Sequence, residues 1–255
     1  DRIVVGCEFE KKAKEVANLY KAKNAKVVFT DNTSAEIIKY ASNSFLAIKL
    51  SFVNEIAAYA ESTDANALEV LHAMGLDKRM GKEFLKPGPG WGGMCFPKDV
   101  SALKESAREK NVPIPLLDAA LESNLKAHAR IVKKISDALG GSLKDKKVAV
   151  WGLAFKANTD DTRFSPAISV IELLVAAGAK VTAFDPVVKQ VKVLAIDVKS
   201  EIVQSVENVD AVVVLTEWQE FKSIKPEVIG KAVKQKIIVD SRNLLDKSKW
   251  EKQGF

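Results

Sequence analysis

Apolar and polar positions follow three different rhythms along the chain. Residues 1 to about 32 carry two short β-branched runs, Ile3-Val4-Val5 and Lys26-Val27-Val28-Phe29-Thr30. A helix-forming stretch from Glu8 to Lys21 lies between them. A strand–helix–strand piece this small cannot bury a core of its own, so it is expected to complete a larger body. The chain opens on a strand, Asp1-Arg2-Ile3-Val4-Val5-Gly6, with no initiator Met and no signal-peptide pattern. That start reads as one entered in mid-chain, although a processed terminus would look the same.

From Thr33 the rhythm becomes helical. Thr33 and Glu36 have the spacing of a capping box. Ala41, Phe45, Ile48, Phe52, Ile56 and Tyr59 then recur at helical intervals to about Glu61. This predicts a helix of roughly 27 residues, about 40 Å long. Leu46, Leu50 and Val53 form a second stripe on nearly the opposite side. Two apolar faces predict burial on both, as a spine between domains or a subunit interface. A helix from Asp64 to Met74, capped by Asp64 and stopped at Gly75, is expected next. A glycine-rich loop, Pro87 to Gly93, leads to Cys95. Helices from Pro97 to about Lys110 and from Leu116 to Leu139 follow, the latter ending at Gly140-Gly141. The segment 33–140 is thus predicted to be all helix and loop.

At about residue 146 the pattern changes again. Short apolar runs at Lys147–Gly152, Lys180–Phe184, Asp210–Leu215 and Lys236–Asp240 read as buried strands. A helix capped by Ser165, with Pro166 at its first position, ends near Gly178. Strands alternating with helices predict a parallel, doubly wound α/β domain over 146–255. The fold class is therefore α/β: an all-helical central domain followed by a Rossmann-like C-terminal domain. No repeat or low-complexity tract is present.

Composition narrows the function classes. The formal charge of +6 over 255 residues fits a lysine-rich solvated surface, with some steering of anions as the alternative. Basic runs such as Lys144–Lys147 lack interleaved aromatics, so no nucleic-acid partner is expected. No apolar run approaches the roughly 20 residues that span a bilayer, so no membrane partner is expected either. Two cysteines, Cys7 and Cys95, cannot build a disulfide framework, and a reducing cytoplasm is the expected location. Two histidines, His72 and His128, fall short of a zinc pattern, and no metal is expected.

The candidate chemistry gathers at Gly88-Pro89-Gly90-Trp91-Gly92-Gly93-Met94-Cys95-Phe96-Pro97-Lys98-Asp99. The glycines allow close approach of a ligand or positive φ. No strand precedes them, so they are not a dinucleotide fingerprint. Cys95 falls just before a predicted helix N-terminus, whose dipole favours a thiolate. Lys98 would help, and Asp99 lies one turn on, where it could orient the thiol or a water. A buried structural cysteine beside an ordinary cap is the competing reading. Lys39 and Asn43 are i, i+4 neighbours that could donate to a developing oxyanion, or could be a solvated first turn. Asp185, after a strand, is as readily a turn residue as a ligand contact.

Three segments carry a resemblance. They are Glu36–Ala47 (EIIKYASNSFLA), the cysteine segment, and Trp151–Arg163 (WGLAFKANTDDTR). Together, in order and spacing, they resemble UDP-glucose 6-dehydrogenases of the UDP-glucose/GDP-mannose dehydrogenase family. Met94 stands where that family usually has serine, and Trp91 where it has Phe or Tyr. The resemblance implies NAD-dependent oxidation of UDP-glucose to UDP-glucuronate in two hydride transfers. Cys95 would be the nucleophile, Lys39 and Asn43 would stabilise oxyanions or position water, and Asp99 would assist. Phe84, Lys86, Gly90, Phe155 and Lys156 would meet the sugar nucleotide, as would Arg79 from a neighbouring subunit of a homodimer. Lys98 and Arg163 would touch the cofactor.

The resemblance also implies an N-terminal NAD domain ahead of residue 1, with residues 1–32 as its tail. No G-x-G-x-x-G follows a strand here, and Val150-Trp151-Gly152 offers one glycine where three are needed. Removal of that domain, its disorder, or its supply by a separate polypeptide all remain open. A non-catalytic module that binds UDP-sugar and dimerises is the alternative function. A dehydrogenase for another nucleotide sugar is the other, since GDP-mannose and UDP-N-acetylmannosamine dehydrogenases share the plan.

Overall fold

A computed structural model describes residues 2–20, 24–191 and 196–255. Asp1 and the expected helix end at Lys21 lie outside the described residues. The first strand, β1 (Arg2–Gly6), pairs in parallel with β2 (Lys26–Thr30), and α1 (Glu10–Asn18) crosses between them. Among its described residues, only Val5, Ala13 and Ala17 are buried in this unit. Phe9, Leu19 and Phe29 are left exposed.

The long helix α2 (Asn32–Ser62) runs 31 residues. Its cap is Asp31, whose carboxylate accepts the Ser34 N–H at 2.8 Å, rather than the expected Thr33/Glu36 box. Asp31 is extended and anionic, the better match to four free N–H groups and a positive helix end. Thr33 lies within the first turn. The next helix, α3 (Ala67–Gly75), is capped by Asn66 and not by Asp64. Asp64 has φ +54°, a left-handed residue that ends α2 instead of starting α3.

Burial of α2 is one-sided in this chain. Ala47, Val53 and Ala57 are buried, while Phe45, Phe52 and Tyr59 are 64%, 47% and 68% exposed. The expected burial of both faces is therefore not met within one copy. Helix α4 (Cys95–Glu109) begins at Cys95, two residues earlier than expected. Pro97 is accommodated in its first turn, where N–H groups have no intrahelical partner. Helix α5 (Pro115–Ala138) packs against α2 by its first half and against the C-terminal sheet by its second. Leu117 belongs to the helical core with Ala47, Trp91 and Val100, whereas Ile131 and Ile135 belong to the core of the sheet. Truncating a fully buried residue such as Ile135 to Ala costs about 2–5 kcal/mol, so this shared helix ties the two regions firmly.

The C-terminal sheet is wholly parallel, in the order β5 (Asp197–Val198), β4 (Lys180–Phe184), β3 (Lys147–Trp151), β6 (Ala211–Val214), β7 (Ile238–Asp240). β3 and β6 are continuous apolar runs because both their faces are covered. α6 (Pro166–Ala176), capped by Ser165, covers one side. Of the short helices, α7 (Ile202–Ser205) and α8 (Pro226–Ala232) pack on each other, and α9 (Lys247–Glu251) follows β7. Trp151 is fully buried and meets Phe221 and Trp250 at ring distances of 5.7 and 6.1 Å. Strand order reverses between β3 and β6. Open parallel sheets bind ligands in the crevice outside the carboxyl ends of such a pair.

Candidate active site

The crevice at that reversal is a cavity of about 400 Å³. The loop after β3 brings Phe155 and Lys156, the loop after β6 brings Glu217, and the loop after β7 brings Arg242. The helical region closes the other side with Leu50, Asn54, Phe84, Lys86, Trp91 and Phe96. Five of the six residues expected to meet a sugar nucleotide thus share one cavity: Phe84, Lys86, Gly90, Phe155 and Lys156. Arg79 does not join them. It is exposed and bonded to Asp77.

Arg242 was not anticipated, and its position gives it weight. Its Nε donates to the Leu215 carbonyl at 2.8 Å, and Glu217 lies 3.1 Å away as a charge partner. Its side chain is 17% exposed. Burial pulls the guanidinium pKa down, while Glu217 and Asp240 act in the opposite sense. Its terminal nitrogens donate to no residue among those described. The available signal was its place, two residues past the carboxyl end of a parallel strand.

The glycine loop forms the inner wall, and side chains of α2 and α5 fix its backbone. Gly88 N–H donates to Asn54 Oδ1 at 2.9 Å. Asn124 pairs with both polar groups of Trp91, accepting its N–H at 2.8 Å and donating to its carbonyl at 2.9 Å. The Trp91 indole N–H donates to Ser51 Oγ, which donates in turn to the Ala120 carbonyl. From the C-terminal domain, the Phe164 carbonyl accepts Gly93 N–H at 3.1 Å. A Cβ on Gly92 would lie 1.9 Å from that same oxygen, so only glycine fits. His128 is buried against this loop, and burial holds its pKa down at about 4. A Cβ on Gly90 would lie 2.6 Å from its Nε2.

The loop delivers Cys95 to the first turn of α4 as an exposed free thiol. Asp99, one turn on, is completely buried. One of its oxygens accepts from Lys39 at 2.6 Å and from Asn43 at 2.5 Å, and the other accepts from Lys98. Burial alone would raise the Asp99 pKa, but the hydrogen bonds from Lys39, Lys98 and Asn43 overcome it and bring the value to about 2. Four expected residues are thus brought together across 56 to 60 positions of sequence. Asp99 does not orient the thiol, because Lys39, Asn43 and Lys98 take its oxygens and Cys95 is not among its partners. Tyr40, not singled out beforehand, lies beside both ammonium groups, 5.3 Å from Lys39 and 6.0 Å from Lys98.

A dinucleotide does not fit the C-terminal sheet. The amides that would cradle a phosphate after β3, those of Leu153 and Ala154, both donate to Asp185. Asp185 also accepts from Val187 N, Val188 N and the Trp218 indole. All its oxygens face inward, which settles it as a turn and loop anchor rather than a ribose contact. Arg163, expected at the cofactor, is 64% exposed and forked onto Asp161. Among the described residues no group of three or more His, Cys, Asp or Glu is placed to hold a metal ion, and no helix is long and apolar enough to cross a membrane.

Residues 33–126 match the central domain of the UDP-glucose/GDP-mannose dehydrogenase family, and residues 149–247 match its UDP binding domain. Along its whole length the chain is 39% identical to the UDP-glucose 6-dehydrogenases of Rickettsia conorii and Rhizobium meliloti, and spans 60% of each. Among solved structures, a UDP-glucose dehydrogenase from Pyrobaculum islandicum superposes with a TM-score of 0.86 at 33% identity, over 96% of this chain and 56% of that one. An NDP-N-acetyl-D-galactosaminuronic acid dehydrogenase from Methanosarcina mazei gives 0.87 at 26% identity, over 99% of this chain and 56% of that one. With both domain matches falling on the regions that build the cavity and the cysteine turn, the chain belongs to the UDP-glucose/GDP-mannose dehydrogenase family.

Proposed function

We propose that this chain is the part of an NAD-dependent UDP-glucose 6-dehydrogenase that binds the sugar nucleotide and bears the reactive thiol. One observation carries the proposal: a cavity lined by Arg242, Lys86 and Lys156 at the sheet's reversal point adjoins the helix turn that bears Cys95. A diphosphate needs cations with free donors, and the Arg242 fork supplies two in a partly desolvated setting. Phe84, Trp91, Phe96 and Phe155 offer apolar walls to a flat base and a sugar face.

Cys95 then acts on the sugar's oxidised C6. Its thiolate adds to the aldehyde carbon, the C–S bond forms, and the carbonyl π pair moves onto oxygen. The adduct carbon is again tetrahedral and bears a C–H, the form from which a hydride can leave. Hydride acceptance belongs to NAD, for which the described residues offer no cradle. Lys39 has three N–H groups and Asn43 has two, and Asp99 takes one from each. The remaining donors are held ready for the oxyanion. Water then adds to the thioester carbon, and the thiolate leaves with the C–S pair.

The absence of a dinucleotide cradle among the described residues favours a narrower behaviour for these 255 residues alone: they bind UDP-glucose without turning it over. The exposed Phe45, Phe52 and Tyr59 stripe, with a seven-residue repeat, is proposed to pack on a second copy. Arg79 would then reach the neighbour's cavity. Calorimetric titration with UDP-glucose, alongside timed alkylation of the cysteines, tests the reading. Binding that weakens at least about 10-fold in Arg242→Met, and that shields Cys95 but not Cys7 from alkylation, supports it. Equal binding by the variant, or no shielding of Cys95, overturns it.

A further inference from the structure

A second and larger cavity, about 680 Å³, lies between the helical region and the C-terminal sheet. It is bounded by the end of α2, the start of α3, the middle of α5, and β7 with α9. Its walls join apolar side chains, Leu68, Ile131, Leu245, Trp250 and Phe255 among them, to polar and charged ones. The charges around it are committed, with one exception. Glu61 is paired with Lys134, and Glu251 with Lys247. Asp240 accepts the backbone N–H groups of Arg242, Leu244 and Leu245. Arg130 alone is half-buried in the wall with no ion pair or hydrogen bond among the described residues.

A half-buried guanidinium without a partner is costly, since it gives up part of its hydration and receives no acceptor in return. The nearest acidic influences on Arg130 come from Glu61 and Glu55, neither of which lies within ion-pair distance. An acceptor from outside the chain would remove the cost. The remaining walls specify the rest of such a ligand: a flat, apolar body that packs against Leu68, Trp250 and Phe255, with one anionic group directed at Arg130.

We propose that this interdomain cavity is a binding site for a small organic monoanion, a carboxylate or sulfonate carried on an aromatic or flat apolar body, with Arg130 as its anion contact. It is distinct from the sugar-nucleotide cavity, and Gly88 is the one residue that lines both. The proposal does not depend on the reading of Cys95.

Calorimetry with naphthalene-1-sulfonate tests it, with neutral naphthalene-1-sulfonamide as the charge control. The sulfonate is expected to bind at one site, and the sulfonamide about 10-fold or more weakly. Arg130→Met is expected to weaken sulfonate binding by a similar factor. Leu68→Trp, which leaves Arg130 intact and fills the cavity from its exposed edge, is expected to abolish it. Lys156→Met, in the other cavity, is expected to leave it unchanged. Loss of binding in Lys156→Met with none in Arg130→Met would place the probe in the sugar-nucleotide cavity and overturn the proposal. Equal binding of sulfonate and sulfonamide, insensitive to all three changes, would assign it to the exposed apolar face of α2 with the same result. Absence of binding overturns it as well.

Discussion

Replacing Asp99 by Asn removes one charge from the middle of the Lys39–Asn43–Lys98 cluster while keeping the side chain's shape. Asp99 has a pKa of about 2 in the folded chain against 3.8 unperturbed. A folded pKa below the unfolded one means that the ionised group stabilises the fold above about pH 4. That contribution is lost as pH falls toward 2. At about 1.4 kcal/mol per tenfold change in proton affinity, the full effect near pH 7 is about 2 kcal/mol. Linkage places about half of it, roughly 1 kcal/mol, between pH 7 and pH 3.

Urea unfolding of both proteins at pH 7 and pH 3 isolates this contribution, because the other carboxylates titrate alike in each and cancel in the difference. Wild type is expected to be the more stable at pH 7 by about 2 kcal/mol, with the gap narrowing by about 1 kcal/mol at pH 3. A gap of the same size at both pH values would refute the reasoning. It would mean that the lysines and the amide do not hold the proton off Asp99. Because Lys39 and Lys98 are more than half exposed, they can relax into water once the charge is gone, so global unfolding is not expected.

Three further outcomes follow from particular contacts. Gly92→Ala forces a methyl group into the Phe164 carbonyl; a loss of about 1–3 kcal/mol in urea unfolding is expected, with weakened UDP-glucose binding in calorimetry. Asp185→Ala strands five N–H donors and should cost at least about 3 kcal/mol, with Asp185→Asn recovering part of it, by the same unfolding assay. Phe52→Glu places a charge in the exposed α2 stripe and should move the chain from dimer to monomer in light scattering at micromolar concentration; a monomeric wild type would remove the reason for the stripe.

The elements most legible in the sequence were those whose pattern is set by burial on every side. β3, β4 and β6 are apolar because helices cover the sheet, and Ser165-Pro166 marks a helix start by local chemistry alone. β5 could not be read in this way: it has two residues, and pairing with β4 rather than composition makes it a strand. The cap residues were misplaced where two acceptors compete within three positions, as at Asp31 against Thr33 and at Asn66 against Asp64. In each case backbone conformation decides, and the sequence does not carry it. The cavity residues around the glycine loop were legible through motif spacing. The partners that fix them were not, since Asn124 and Ser51 reach Trp91 from positions 33 and 40 residues away. Asp99 was noticed for its nearness to Cys95, yet two of its three donors, Lys39 and Asn43, come from α2, which no local pattern specifies.

The glycine loop explains why the thiol and the cavity depend on both domains. Asn54 and Asn124 hold its backbone from the helical side, and Phe164 holds it from the sheet side. Cys95 follows two residues after the last of these contacts. Asn124 lies on α5 between Leu117, in the helical core, and Ile131, in the core of the sheet. Shifting one domain against the other would therefore strain the same few hydrogen bonds that set the start of α4. The Gly92–Phe164 approach leaves no room for a side chain to absorb such a shift. Placement of the thiol relative to Arg242 and Lys156 is thus a property of the domain pair, held by a loop whose glycines let both partners reach its backbone directly.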